Sequence, residues 1–229
     1  MATRTRRPER RQEPLSRERI VGAAVELLDA VGEGGLTFRA LAERLATGPG
    51  AIYWHVTGKA ELLAAASDAV VADALAEDDT TDATPQDVIR ALALGLFDAI
   101  DAHPWVGTQL TRAPGQPPMV SVFERLGRQV KALRVPEAAR FTAVSALLNY
   151  ILGVAGQNAA NARSQPPGTD RADFLDTVAR AWSELDPERY AFTRGIAGRL
   201  REHDDRAEFL AGIDLILAGI TANLPPGAG

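Results

Sequence analysis

The sequence predicts an all-α chain, a three-helix head followed by a larger helical domain, and three observations predict it. Apolar residues recur at helical spacing through most of the chain, no stretch alternates apolar and polar residues as a half-buried strand would, and Ser, Thr, Pro and Gly punctuate the runs where helices start and stop. At 229 residues with 46% apolar content, the chain has room for two unequal globular domains.

Residues 1–14 contain Arg4, Arg6, Arg7, Arg10 and Arg11 without apolar periodicity and are expected to form a disordered basic arm. Ser16 is placed to cap the first helix, with Leu15 and Ile20 at the two positions of a hydrophobic staple. Ile20, Ala24, Leu27, Leu28 and Val31 form a stripe predicted to be buried, and Gly32 ends it. After the Gly34–Gly35 turn, Thr37 caps a short second helix whose inner face is Phe38, Leu41, Ala42 and Leu45. Ala46-Thr47-Gly48 breaks that helix. Pro49 suits the first turn of a third, because proline there forfeits only an amide that had no partner, and Ile52 and Val56 supply its apolar side. Helices this short are stable only when packed together, and two of them joined by a tight turn form a helix-turn-helix between Leu36 and Val56. Trp54 is expected in the core of this head.

The head is assigned to residues 15–60, a larger domain to 61–222 and a flexible tail to 223–229. A fourth helix is predicted from just after Thr57 to about Glu77, followed by a polar loop through Asp82. Thr84-Pro85-Gln86-Asp87 reads as a capping box with proline at the first helical position, opening a central helix over 85–102. Further helices are predicted near 104–111, 117–132, 136–162, 170–184, 187–202 and 205–222. The runs 141–158 and 209–220 are apolar nearly all round yet hold Gly153, Gly156, Gly212 and Gly219, which points to burial on two sides, against the domain and against a second copy of the chain. Asn149 and Asp214 sit within these runs, and neither run reaches the roughly 20 residues of a bilayer span, so no membrane partner is expected.

Charge is distributed unevenly. Residues 1–60 carry ten Lys or Arg against seven acids, while the remainder is strongly acidic and the whole chain has a net charge of −5. A basic end and an acidic body suit a protein that holds its front against a phosphate backbone. Cysteine is absent, which removes thiol chemistry and disulfides and agrees with a cytoplasmic setting, as does a terminus without an apolar signal segment. His55, His103 and His203 are scattered, so neither a metal nor another cofactor is expected. No nucleophile elbow, phosphate loop or metal motif supports an enzyme.

Three runs carry a resemblance. Leu36-Thr37-Phe38-Arg39-Ala40-Leu41-Ala42-Glu43-Arg44-Leu45, then Ala51-Ile52-Tyr53-Trp54-His55-Val56, then Lys59-Ala60-Glu61-Leu62-Leu63 together closely resemble the signature of the tetracycline-repressor family, over residues 15 to about 70. The resemblance implies a dimeric regulator whose paired recognition helices enter successive major grooves of a roughly palindromic operator, with half-sites about 34–36 Å apart or a multiple of that. It implies a repressor released by a small-molecule effector, with the fourth helix linking effector pocket to head. A helical DNA-binding protein answering a protein partner is the alternative. By position, Thr37 and Arg39 would meet phosphate or a base edge, Tyr53 and His55 phosphate or base, and Lys59 the DNA backbone. Tyr53 as a packed aromatic, and Arg39 and His55 as solvated surface groups, remain open.

The chain departs from the family pattern in the turn, where Ala46 replaces the usual glycine, and in the base-reading segment, which is Gly48-Pro49-Gly50-Ala51. With so few hydrogen-bonding groups there, specificity is expected from contact of Pro49 and Ala51 with thymine methyls, from Arg39 and from groove shape. In the larger domain, Phe97, His103, Trp105, Phe123, Asn149 and Trp182 are the candidate effector-pocket lining, polar and aromatic groups on otherwise apolar helices. Ordinary core packing is the competing account of each, and for His103 beside Pro104 a helix-capping role is another.

Overall fold

The computed structural model describes residues 14–76, 83–112, 115–164 and 170–222. The basic arm but for its last residue, the loop at 77–82 and the tail lie outside them. Among the described residues there are eleven α-helices, one 3-10 helix and no strand. The chain divides into two compact units that meet between Ala66 and Ser67.

In the first unit, α1 (Arg17–Gly35) is capped by the Ser16 hydroxyl, which accepts from the Arg19 N–H at 3.3 Å. Its helical geometry is broken at Gly32, where φ is 68°, so the stop signal acts where expected and only a short turn comes after it. Ile20, Ala24 and Leu28 are buried, whereas Val31, one turn past them, is 57% exposed and leaves the predicted stripe. The kink at Gly32 accounts for this, since a stripe faces the core only while the helix continues.

Helix α2 (Phe38–Arg44) is capped by Thr37, and α3 (Pro49–Tyr53) opens with proline. Leu41, Ala42, Ile52 and Val56 fill the centre, with Phe38 and Leu45 half-buried at its edge. The α2 terminus is a Schellman motif: Thr47 N–H donates to the Ala42 carbonyl at 2.9 Å and Ala46 N–H to the Glu43 carbonyl at 3.2 Å. Ala46 sits at the left-handed position with φ 51°. The position that glycine fills in the family is thus still left-handed here, at a steric cost.

Helix α4 (Lys59–Ala74) begins in the first unit and ends in the second. The second unit is built on α5 (Pro85–Ala102), whose predicted capping box is present in full, with Thr84 and Asp87 bonded reciprocally. Then come α6 (Pro104–Arg112), α7 (Pro117–Ala132), the 28-residue α8 (Glu137–Ser164), α9 (Arg171–Ser183), α10 (Ala191–Ile196) and α11 (Asp205–Ala222). Helix α8 packs along α5, α6, α7 and α11. Phe209 of α11 is the hub, stacked on Phe97 at 4.7 Å and on Tyr150 at 5.7 Å, and it ties three helices together. Two ion pairs set the antiparallel register of α11 on α5: Arg90 to Asp214 at 2.6 Å and Arg206 to Asp98 at 2.7 Å.

Two expectations fail here. The single helix predicted over 187–202 is α10 followed by a 3-10 helix over Ala197–Glu202. Its opening turns into a loop because the Asp186 carboxylate takes the Glu188 and Arg189 N–H groups at 3.1 and 2.7 Å, and Gly195 and Gly198 weaken the helix beyond it. The length argument against a membrane span also fails, since α8 as a whole is long and apolar enough to cross a bilayer. It nevertheless packs on four neighbours, and its Asn158 amide donates to Asp101 of α5 at 2.9 Å.

Candidate nucleic-acid interface and effector groove

The head surface is organised by α3. With Ile52 turned inward, helical geometry turns Gly50 and Trp54 to the solvent side; Pro49 at the open first turn and Tyr53 are exposed as well, and Ala51 and His55 lie half-buried. Tyr53 is packed and exposed at once. Its ring stacks on Phe38 at 4.4 Å with an interplanar angle of 4°, yet the residue remains 56% exposed. Trp54 is the clearest correction. Expected in the core, it is 89% exposed, because it follows Tyr53 at the end of a five-residue helix whose single inward turn is already taken by Ile52.

The other predicted contact residues are exposed too, on α2 and at the starts of α3 and α4. The Thr37 hydroxyl accepts from the Ala40 N–H at 3.1 Å, and so stands at the exposed start of α2 with its own O–H left to donate. Among the described residues Arg39 bonds through Nε to Glu43 at 3.1 Å, and its side chain is 88% exposed. Gly48 caps α3 without a side chain, so the backbone is bare where the helix begins. The exposed Lys59 donates from Nζ to the Glu33 carbonyl at 2.6 Å, which fixes its ammonium near the start of α4 with two N–H groups remaining.

A charged latch holds the turn after α3. Arg17 Nη1 donates to the His55 carbonyl and to Glu61, each at 2.7 Å. The other Glu61 oxygen accepts from the Thr57 N–H and hydroxyl at 2.6 and 2.7 Å. Those Thr57 bonds, seconded by Arg17, pull the Glu61 carboxyl down to about 2 from its usual 4.5.

In the second unit a groove of about 520 Å³ lies between α6, α7 and α8, lined mainly by apolar groups: Leu110 and Thr111, then Met119, Val120, Phe123 and Glu124, then Leu148, Asn149 and Leu152. Of the six predicted lining residues, the structure brings Phe123 and Asn149 together here. The Asn149 side chain makes no hydrogen bond among the described residues. Phe97 is buried in the aromatic cluster with Phe209. His103 is the C-cap of α5 with its ring 6.2 Å from buried Trp105, and Trp182 is half-buried on α9; none of these lines this groove. The missed residues carried only a weak signal: Met119 stands one helical turn before Phe123, and Leu148 and Leu152 lie beside Asn149 on its helix, a spacing shared with ordinary core positions. No group of three or more His, Asp or Glu that could hold a metal occurs among the described residues.

Comparison with known proteins agrees with this architecture. Residues 20–66 match the profile of the bacterial regulatory proteins of the tetR family. An HTH-type transcriptional regulator from Saccharopolyspora erythraea is 31% identical over 222 residues, covering 94% of this chain and 90% of that one. A solved TetR transcriptional regulator from Streptomyces coelicolor is 63% identical with a TM-score of 0.84, over 91% of this chain and 99% of that one. The TetR family protein ActR of the same organism, solved in complex with actinorhodin, is 25% identical with a TM-score of 0.72, over 95% of this chain and all of that one. With its helix-turn-helix head, its all-helical second unit and a relative of this identity along nearly its whole length, the chain belongs to the TetR family of transcriptional regulators.

Proposed function

We propose that the protein acts as a homodimer which occupies a roughly palindromic operator as a repressor and leaves it when a largely apolar small molecule enters the groove between α6, α7 and α8. The observation that carries the DNA half is the exposed α3 face, with Tyr53 braced on Phe38 and Trp54 bare beside it. Thr37, Arg39 and Lys59 flank it for phosphate, and the bare Gly48 and the Pro49, Gly50 and Ala51 segment let the helix approach thymine methyls and groove walls closely. His55 serves the same surface from its flank. The effector half rests on the groove, which combines apolar walls with the Asn149 amide, unbonded among the described residues; ActR is a family member solved in complex with actinorhodin.

The dimer is drawn through α8 and α11. Phe141 and Leu215 are 72% and 76% exposed, and Gly153, Gly156 and Gly219 open onto empty space, which suits close helix approach by a second copy. A mobility-shift titration on the DNA upstream of the protein's own gene tests the proposal. Binding as a dimer with a steep salt dependence is expected, and release by an apolar metabolite in the same assay identifies the effector. Salt-independent binding, or a monomer on DNA, overturns it.

A further inference from the structure

We infer that Arg125 is a positioning residue. It holds the last turn of α4 to α7 and, through that hold, links the groove to the DNA-reading end of α4. The inference rests on the function proposed above and concerns a contact that function does not itself require.

A helix end leaves its final carbonyls without intrahelical partners, and a cation there is favoured by the helix dipole. Helix α4 has no basic residue in its last turn. Arg125 of α7 supplies one from outside, its Nη1 donating to the carbonyl of Leu75, a residue only 2% exposed. A second contact marks the same spot. Gly95 of α5 lies so close that a methyl group on it would overlap the Ala74 carbonyl oxygen. The end of α4 is therefore seated against two helices, through one hydrogen bond and one close backbone approach.

What makes this seat more than packing is where Arg125 stands on α7. A second, more polar groove of about 370 Å³ runs between α4 and α7, bordered by Asp68, Leu75, Arg125 and Arg128. Val120 and Glu124 line both grooves, so one turn of α7 is the wall between them. A molecule filling the apolar side presses on Val120, Phe123 and Glu124. The next residue along is the one that grips α4. Because packed helices shift as units, a displacement of that turn reaches the Leu75 carbonyl directly.

The test combines amide hydrogen exchange over residues 71–76 with operator affinity, in the full-length protein. Arg125→Ala should speed exchange in this segment and weaken operator binding by about fivefold or more, the lower end of ordinary coupling. Arg125→Lys, which keeps a cation, should recover part of both. Arg128→Ala, which removes an exposed pair with Glu124, should change neither. Val120→Trp, at a site already 53% exposed, imitates an occupied groove. It should speed the same amides in the wild-type background and add nothing to Arg125→Ala, the non-additivity expected of two changes acting through one contact. Unchanged exchange in Arg125→Ala, faster exchange with wild-type operator affinity, or additive effects of the two substitutions would each overturn the inference. A wild-type protein that binds no DNA would instead sink the proposed function, and the exchange cycle would still decide the role of Arg125.

Discussion

The head and the second unit hold themselves together by different means. The head relies mainly on short-range devices, two hydroxyl caps, a proline and a Schellman turn, with the Arg17–Glu61 latch as its one charged tie between the two ends of the unit. The second unit relies on long helices locked by contacts far apart in sequence, with the Phe97–Phe209–Tyr150 cluster at its hub. A small unit with a small core leaves little reserve against any one loss, whereas a larger core spreads the loss. The head should therefore fail alone.

The sharpest way to break the comparison is in the cores. Leu41→Ala removes a fully buried side chain from the head, at a cost of about 2–5 kcal/mol. Calorimetry should show the head transition lost or moved far down while the transition of the second unit stays in place; a single transition shifting as a whole would refute separate behaviour. In the second unit, Gly212→Ala sets a methyl group into the Tyr150 hydroxyl end, whose ring is stacked on Phe209 and whose O–H donates to the Phe209 carbonyl at 3.2 Å. Overpacking of this kind costs about 1–3 kcal/mol. Only the transition of the second unit should fall, with the isolated operator contacts of the head unaffected.

The same division explains what could be read from the sequence. Ser16, Thr37, Pro49 and the Thr84–Asp87 box act within four residues of where they stand, so the pattern alone placed nearly every helix start. Val31 and Trp54 were misplaced because their surroundings are set by where a helix stops, at Gly32 and at Tyr53, and periodicity carries no such limit. The groove was half legible. Phe123 and Asn149 stood out as polar or aromatic groups on apolar helices, but Leu110, Met119 and Leu152 look like any core residue until three helices bring them to one place. Phe97 and Trp105 have the same composition signal and ended in the core.

On the face proposed to read DNA, Trp54→Ala removes an indole that is 89% exposed, so the melting of the head should hold while operator affinity falls roughly tenfold, equivalent to about 1.4 kcal/mol. A matching loss of head stability would return Trp54 to the packing role that its exposure argues against. A smaller effect of opposite sign is expected at the turn. Ala46→Gly relieves a left-handed alanine, offset in part by the freer unfolded chain of glycine, for a net gain of about 0.5–1 kcal/mol in the head alone. Chemical denaturation of both proteins measures it, and no gain would mean that the Schellman turn carries no strain.

The smallest effect concerns acid. Glu61 is held at about 2, chiefly by its hydrogen bonds from Thr57 with Arg17 adding to them. A carboxyl whose folded value is depressed binds its proton less readily folded than unfolded. Its contribution is therefore complete above the ordinary value near 4.5 and is lost as the pH falls from there towards 2. Glu61→Gln can still accept a hydrogen bond from Thr57 through its amide oxygen but carries no charge for Arg17, so the head of this variant should be slightly less stable at neutral pH. Its gap from the wild type should close between pH 4.5 and 2. Because the latch also fixes the His55 carbonyl at the end of the recognition helix, operator binding should weaken in the variant more than its melting does. A gap that persists unchanged at pH 2 would show that Glu61 acts through packing alone and that the charge of the latch contributes nothing to the head.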